Sequence, residues 1–223
     1  MLKLIIGNRA YSSWSMRGWL ACKQSDLEFE EFLVPLFDED WEKRREGGEF
    51  APSLGKVPIL WDGECVVWDS LAIVEFLADR VGRDKFWPED ESARGMARSM
   101  AAEMHSGFAN LRRELPMNVR RTYPPVELSD EVREEINRIL ELWAQARARF
   151  GGTGNFLFGD WCAADIIYAP VVTRFITYGV PVPPYAALYM KAVLSHPDVS
   201  DWIDKAQDEP WVIDQYEGKD KAA

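Results

Sequence analysis

Residues Gly55–Ser70 read GKVPILWDGECVVWDS, and the order of signals in this stretch decides the fold. Val57, Ile59, Leu60 and Trp61 form an apolar, β-prone run that is entered through Val57-Pro58. Asp62-Gly63 reads as a two-residue hairpin turn, because glycine tolerates the positive φ such a turn needs. Val66, Val67 and Trp68 return as a second strand. Asp69 and Ser70 then precede Leu71, Ala72, Ile73, Phe76 and Leu77, a helical stripe, so either can serve as the helix N-cap. A proline at a strand entrance beside a helix N-terminus outlines a small polar pocket. Exposed N–H groups and the helix dipole favour an anion there.

Working outward, Leu2–Ile6 reads as a strand, Met16–Gln24 as a helix, Glu28–Val34 as a strand and Trp41–Glu46 as a polar helix. With the hairpin and a helix over Ser70–Arg80, the order is β-α-β-α-β-β-α, a sheet covered by helices. Arg83–Glu91 is polar and contains Pro88. Beyond it Met96, Met100, Met104, Phe108, Leu111 and Leu115 recur at three- and four-residue steps, the face of one long helix that Pro116 ends. Ser129 caps a second stripe through Val132, Ile136, Ile139, Leu140, Trp143 and Phe150. Cys162–Tyr178 is apolar nearly all round, so it is a buried helix, which Pro170 should kink. Short helices follow near Pro184–Leu194 and Asp198–Gln207. The expected organisation is an α/β domain over 1–81, a linker over 82–87 and an all-helical domain over 88–223.

The 223 residues are 47% hydrophobic and 28% charged, a globular composition with room for a sizeable core. A net charge of −11 argues against a nucleic-acid partner, which needs clustered Lys and Arg. No run of about 18 apolar residues predicts a membrane span, and Met1–Gly7 reads as a first strand rather than a leader. Three cysteines at wide spacing and two histidines fit neither a disulfide framework nor a metal site, so a reduced, cytoplasmic protein without metal is expected.

Val57-Pro58 before the third strand, Asp69-Ser70 opening the last helix of the α/β part, and Gly159-Asp160-Trp161-Cys162-Ala163-Ala164-Asp165 together resemble the soluble glutathione S-transferases. The likeness covers nearly the whole chain. It implies a thioredoxin-like N-terminal domain and an all-α C-terminal domain. Tyr11-Ser12-Ser13-Trp14-Ser15-Met16-Arg17 is similar to the serine-bearing first helix of zeta, tau and related bacterial members. The resemblance implies a cis Val57-Pro58 bond, with the Val57 backbone pairing the cysteinyl unit of glutathione. It also implies that the Ser70 hydroxyl and N–H hold the γ-glutamyl carboxylate and that Asp69 lies near its ammonium. Lys56, with Lys43 and Arg44, would meet the glycine carboxylate.

The chemistry such a site performs needs a thiolate. A free thiol has a pKa of about 8.5, and lowering it by about two units takes roughly 2.7 kcal/mol of preferential stabilisation of the anion. A hydroxyl at a helix N-terminus supplies a charge-assisted hydrogen bond and the dipole. The resemblance orders the candidates Ser12, then Ser13, then Tyr11, with Ser15 better read as a cap. Trp14 stands where zeta members carry cysteine, which weakens the zeta-type reading, and no cysteine lies between Met1 and Ala21, so transfer through a protein thiol is not expected. A second substrate, a small hydrophobic electrophile, would meet Tyr11, Glu103, His105, Phe108, Arg112, Met117 or Asn118. The family likeness implies a glutathione transferase acting as a homodimer in detoxification. The alternatives are a zeta-type cis-trans isomerase of maleylacetoacetate-like substrates and a non-catalytic glutathione-binding or regulatory member. Cys162 replaces the family's Ser or Thr cap, which weakens that cap by about 1 kcal/mol.

Overall fold

The computed structural model describes residues 1–38 and 41–217, without the side chains of Glu42, Glu49 and Ala51. The central strand β1 (Leu2–Ile6) lies parallel to β2 (Phe29–Leu33) and antiparallel to β3 (Ile59–Asp62). Strand β3 pairs with β4 (Cys65–Trp68), so the sheet order is β2-β1-β3-β4. The alternation of a strand sends Leu2, Leu4, Ile6 and Leu60 to one face and Ile5 and Ile59 to the other. Both faces are covered, which is why β1 is almost wholly apolar.

Helices α1 (Ser13–Ser25) and α3 (Ser70–Val81) cover the first face; α2 (Trp41–Glu46) and a 3-10 turn over Gly48–Ser53 flank the second through Trp41 and Phe50. Gly18 sets the depth of α1. A Cβ there would lie 2.7 Å from the Pro58 ring, so only glycine lets the helix rest against the start of β3.

The rest is helical: α4 (Glu91–Ser106), α5 (Ala109–Glu114), α6 (Asp130–Phe150), α7 (Ala163–Thr177), α8 (Pro184–Leu194) and α9 (Pro197–Gln207). The buried helix α7 packs on α1, α4 and α8, and one continuous core joins it to the first face of the sheet. Trp143 packs edge-on or tilted against Tyr168, Phe175 and Tyr189. This is a thioredoxin-like N-terminal domain followed by an all-helical part.

Several expected details move. The hairpin turn is Gly63-Glu64 rather than Asp62-Gly63, because Asp62 still pairs with Cys65, and Gly63 takes φ 60°. Helix α1 starts at Ser13, not Met16, because Ser12 caps it. The long helix is broken. Gly107 is extended and Phe108 left-handed (φ 58°), and α5 restarts with Glu135 accepting the N–H groups of Asn110 and Leu111. The apolar stripe carries across that break, because Met104, Phe108, Leu111 and Leu115 all still reach the core. Pro170 lies inside α7, which runs unbroken around it.

At the start of α7, Asp165 accepts the Cys162 N–H at 3.0 Å and the Leu157 N–H at 3.1 Å. The carboxylate half of the capping box is therefore strong, while the Cys162 thiol is a poor acceptor in the other half. Cys162→Ser is expected to raise the thermal midpoint by about 2–4 °C, for a gain of ~1 kcal/mol. A lowered midpoint in differential scanning calorimetry would refute this.

Candidate functional site

A cavity of about 1050 Å³ opens where the N-termini of α1 and α3 face the 52–58 loop and the helical part. One wall is Lys56, Val57, Pro58, Asp69 and Ser70. The Val57-Pro58 bond is cis. Asp69 is the N-cap of α3 and holds φ 79°, a conformation rare for a residue with a side chain. Its Oδ1 accepts the Leu71 N–H at 2.8 Å, and its Oδ2 lies 3.1 Å from His105 Nε2. Burial lowers the His105 pKa, against the pull of Asp69, so this ring is neutral near pH 7.

Ser70, the first residue of α3, is fully buried, and its hydroxyl has no partner among the described residues. A buried hydroxyl without a partner costs about 1–3 kcal/mol. Here it lines a cavity beside a helix N-terminus, an arrangement that accommodates an anionic oxygen.

Ser12 and Ser13 form the floor. They are not equivalent. Ser12 Oγ accepts the Ser15 N–H at 3.2 Å and bonds the Ser15 hydroxyl at 2.8 Å. Ser15 Oγ in turn accepts the Gly7 N–H at 2.9 Å, so it ties β1 to α1 rather than capping the helix. Ser13 Oγ instead faces Arg174, whose Nη2 donates to it at 3.4 Å. Arg174 is anchored by its Nε on the Leu115 carbonyl at 2.9 Å. The Tyr11 hydroxyl donates to Glu217 and accepts from Arg120. Burial and the bond to Glu217 raise its pKa, so it stays a neutral phenol.

Of the second-substrate candidates, Tyr11, Arg112 and Met117 reach the cavity. The others do not. Glu103 pairs with Arg138 at 2.7 Å on a separate surface depression. Phe108 turns into the core at the α4–α5 break. His105 stands behind the wall, against Asp69 and edge-on to Trp14 at 5.1 Å. Asn118 bonds Tyr216 and Glu217. At the far end Arg45 lines the cavity, rather than Lys43 or Arg44.

A model of the glutathione S-transferase N-terminal domain matches residues 11–80, the stretch that carries this wall and floor. By this match the N-terminal part of the chain is similar to the glutathione S-transferases. Glutathione S-transferase GstB of Escherichia coli (strain K12) is 25% identical over 128 residues, 56% of this chain and 62% of that protein, so the match spans under two thirds of the curated relative. A glutathione transferase homolog from Burkholderia GL BGR1, solved with bound glutathione, superposes with a TM-score of 0.69 at 22% identity, over 93% of this chain and 98% of that one. A theta class glutathione S-transferase from Xanthomonas axonopodis pv. citri, also with glutathione bound, gives 0.64 at 19% identity, over 91% and 96%. At these identities the two structures establish a shared fold.

The sequence did not single out Trp14, Arg45, Trp68, Arg174 or Tyr216 as site residues, and all of them line the cavity. Arg174 had a signal. Within the otherwise apolar Cys162–Tyr178, a lone arginine on a helix buried all round needs a polar destination. Arg45 had none, since three basic residues follow one another on α2 and only the fold selects one.

Proposed function

We propose that this protein is a glutathione transferase that binds glutathione along the Val57–Ser70 wall and activates its thiol at the N-terminus of α1. The observation that carries this reading is the buried Ser70 hydroxyl beside Asp69, which has no partner among the described residues. It offers a carboxylate a hydroxyl and a helix N-terminus, with an acid next to it for the neighbouring ammonium. The Val57 backbone, on the cavity wall at the cis Val57-Pro58 bond, would pair the cysteinyl backbone. Arg45 and Lys56, on the same cavity wall, suit the glycine carboxylate.

The thiol sulfur would then reach Ser13, which we place ahead of Ser12. The Ser12 oxygen is committed to the helix cap, whereas the Ser13 hydroxyl faces the cavity next to a guanidinium. Ser13 O–H donates to the thiolate, and Arg174 and the α1 dipole add positive potential. The thiol proton leaves to solvent. The thiolate electron pair then forms the bond to an electrophilic carbon as the leaving group departs. Residues 1–81 hold glutathione, and the helical part from residue 88 supplies the wall for the electrophile. We also propose a cytoplasmic homodimer, as the family likeness implies.

Isothermal titration with glutathione tests the binding wall. The wild type is expected to bind, and Ser70→Ala to weaken Kd about tenfold or more, the worth of a hydrogen bond to a charged group. Conjugation to 1-chloro-2,4-dinitrobenzene tests the chemistry. Absence of glutathione binding by the wild type would overturn the reading.

A further inference from the structure

Around Trp14 the cavity gathers three arginines, and the carboxylates that act on them, Asp69 on Arg17 and Glu135 on Arg112, do so from beyond ion-pair distance. Arg112 and Arg174 line the cavity, together with Trp14, Pro116 and Met117. Arg17 lies one layer behind, and the guanidiniums of Arg17 and Arg112 sit 4.8 and 4.7 Å from the Trp14 ring centre. Each of the three arginines uses its Nε on a backbone carbonyl: Ile167 for Arg17, Gly107 for Arg112 and Leu115 for Arg174. Both Nη atoms of Arg17, and Nη1 of Arg112 and of Arg174, have no hydrogen-bond partner among the described residues. Arg17 and Arg174 are almost wholly buried. None of the three forms a carboxylate ion pair within 4 Å among the described residues.

The electrostatics agree with the geometry. Burial, then the like charge of Arg112, pushes Arg174 down to about 9, and burial with both other arginines lowers Arg17 well below its usual value. A guanidinium nevertheless keeps its proton in a protein. The cluster is therefore three charges held close, two of them buried, a cost that an anion in the cavity relieves.

Glutathione's own carboxylates are placed elsewhere in this site, at Ser70 and at Arg45 with Lys56. Arg112 and Arg174 line the same cavity as the apolar Trp14, Pro116 and Met117. An apolar body with one planar oxyanion fits that combination, because a guanidinium fork matches carboxylate geometry. We infer that the second subsite selects an electrophile that carries a carboxylate, with Arg112 and Arg174 as its specificity-determining residues. This rests on the placement of glutathione proposed above.

Titration calorimetry on the full chain, free and saturated with S-methylglutathione, tests this with two unreactive probes, 4-nitrobenzoate and 4-nitrobenzamide. The benzoate is expected to bind at least tenfold tighter than the amide, and added salt to narrow the gap. Arg174→Met and, separately, Arg112→Met should each reduce the preference several-fold; the second variant guards against misfolding of the first. Equal affinity for the two probes in the wild type, or a preference that survives in both variants, overturns the inference. If S-methylglutathione binds while the benzoate preference is absent, the glutathione reading stands and this one fails. A benzoate preference without any binding of S-methylglutathione retains the cationic subsite and removes the glutathione reading.

Discussion

Ser13→Ala is expected to lower kcat/KM for glutathione conjugation about 100-fold, while Ser12→Ala costs stability instead. The two hydroxyls are adjacent in sequence, so composition does not separate them; their partners do. Ser12 Oγ is the N-cap acceptor of α1 and shares a hydrogen bond with Ser15. Removing it costs ~1 kcal/mol, a fall of about 2–4 °C in thermal midpoint, with rates changed by no more than a few-fold. Ser13 Oγ contributes nothing to the cap and points at Arg174 from the cavity floor. Deleting a single preorganised donor to a developing or resident anion costs about 2.7–4 kcal/mol, which is about 10²–10³ in rate. The accompanying sign is in the pH profile. Without its donor the bound thiol ionises at higher pH, so the acidic limb of kcat/KM for Ser13→Ala shifts upward while that of Ser12→Ala does not. The reverse pattern, a silent Ser13→Ala and a crippled Ser12→Ala, would hand the thiolate to the cap serine.

Why the sequence separates some of this and not the rest is visible in particular residues. The Gly55–Ser70 stretch was legible because each signal is local. A β-prone run, a glycine at a turn and an acid before a helical stripe all act over a few residues, and a sheet covered by helices follows from the alternation of β and α. Even there the turn slipped by one position, since register is set by the Asp62–Cys65 pairing and not by the Asp-Gly dipeptide. The break at Gly107-Phe108 escaped because the apolar spacing is continuous across it. Periodicity reports which side chains face the core, and the backbone between them can change direction without disturbing it. The site divides in the same way. Val57, Pro58, Asp69 and Ser70 belong to one contiguous stretch and were found together. Glu103 and His105 sit on the unbroken α4, where partners far away in sequence, Arg138 and Asp69, take them, and only Phe108 is turned into the core by the break itself. Arg174 and Tyr216 arrive from distant parts of the chain, and only the packing of α7 on α1, and of the C-terminal segment on Ala10 and Tyr11, brings them to Ser13 and Tyr11.

Asp165→Ala is expected to cost about 3–5 kcal/mol, the largest loss of stability of any single substitution considered. Asp165 is fully buried at the start of α7, and its two oxygens accept the N–H groups of Cys162 and Leu157. Leaving two buried N–H groups without acceptors costs about 1–3 kcal/mol each, and the vacated volume adds to it. The expected fall in thermal midpoint is on the order of 10 °C. The charge state gives a second, sharper test. Burial pushes the Asp165 carboxyl up to about 6, against the lowering by those two N–H groups. A carboxylate has room for about four hydrogen bonds, and two backbone donors leave its desolvation incompletely offset. The native state therefore holds this proton more tightly than the unfolded chain does, so its contribution to stability is full below about pH 4 and is lost as pH rises through 6. The difference between about 6 and the ordinary carboxylate value corresponds to about 3 kcal/mol. Asp165→Asn keeps one acceptor and cannot titrate. Denaturant unfolding of both proteins from pH 4 to 7 should thus show the wild type losing ground to Asp165→Asn as pH rises. The opposite slope would mean that the carboxylate is held as an anion, with the backbone donors outweighing its burial.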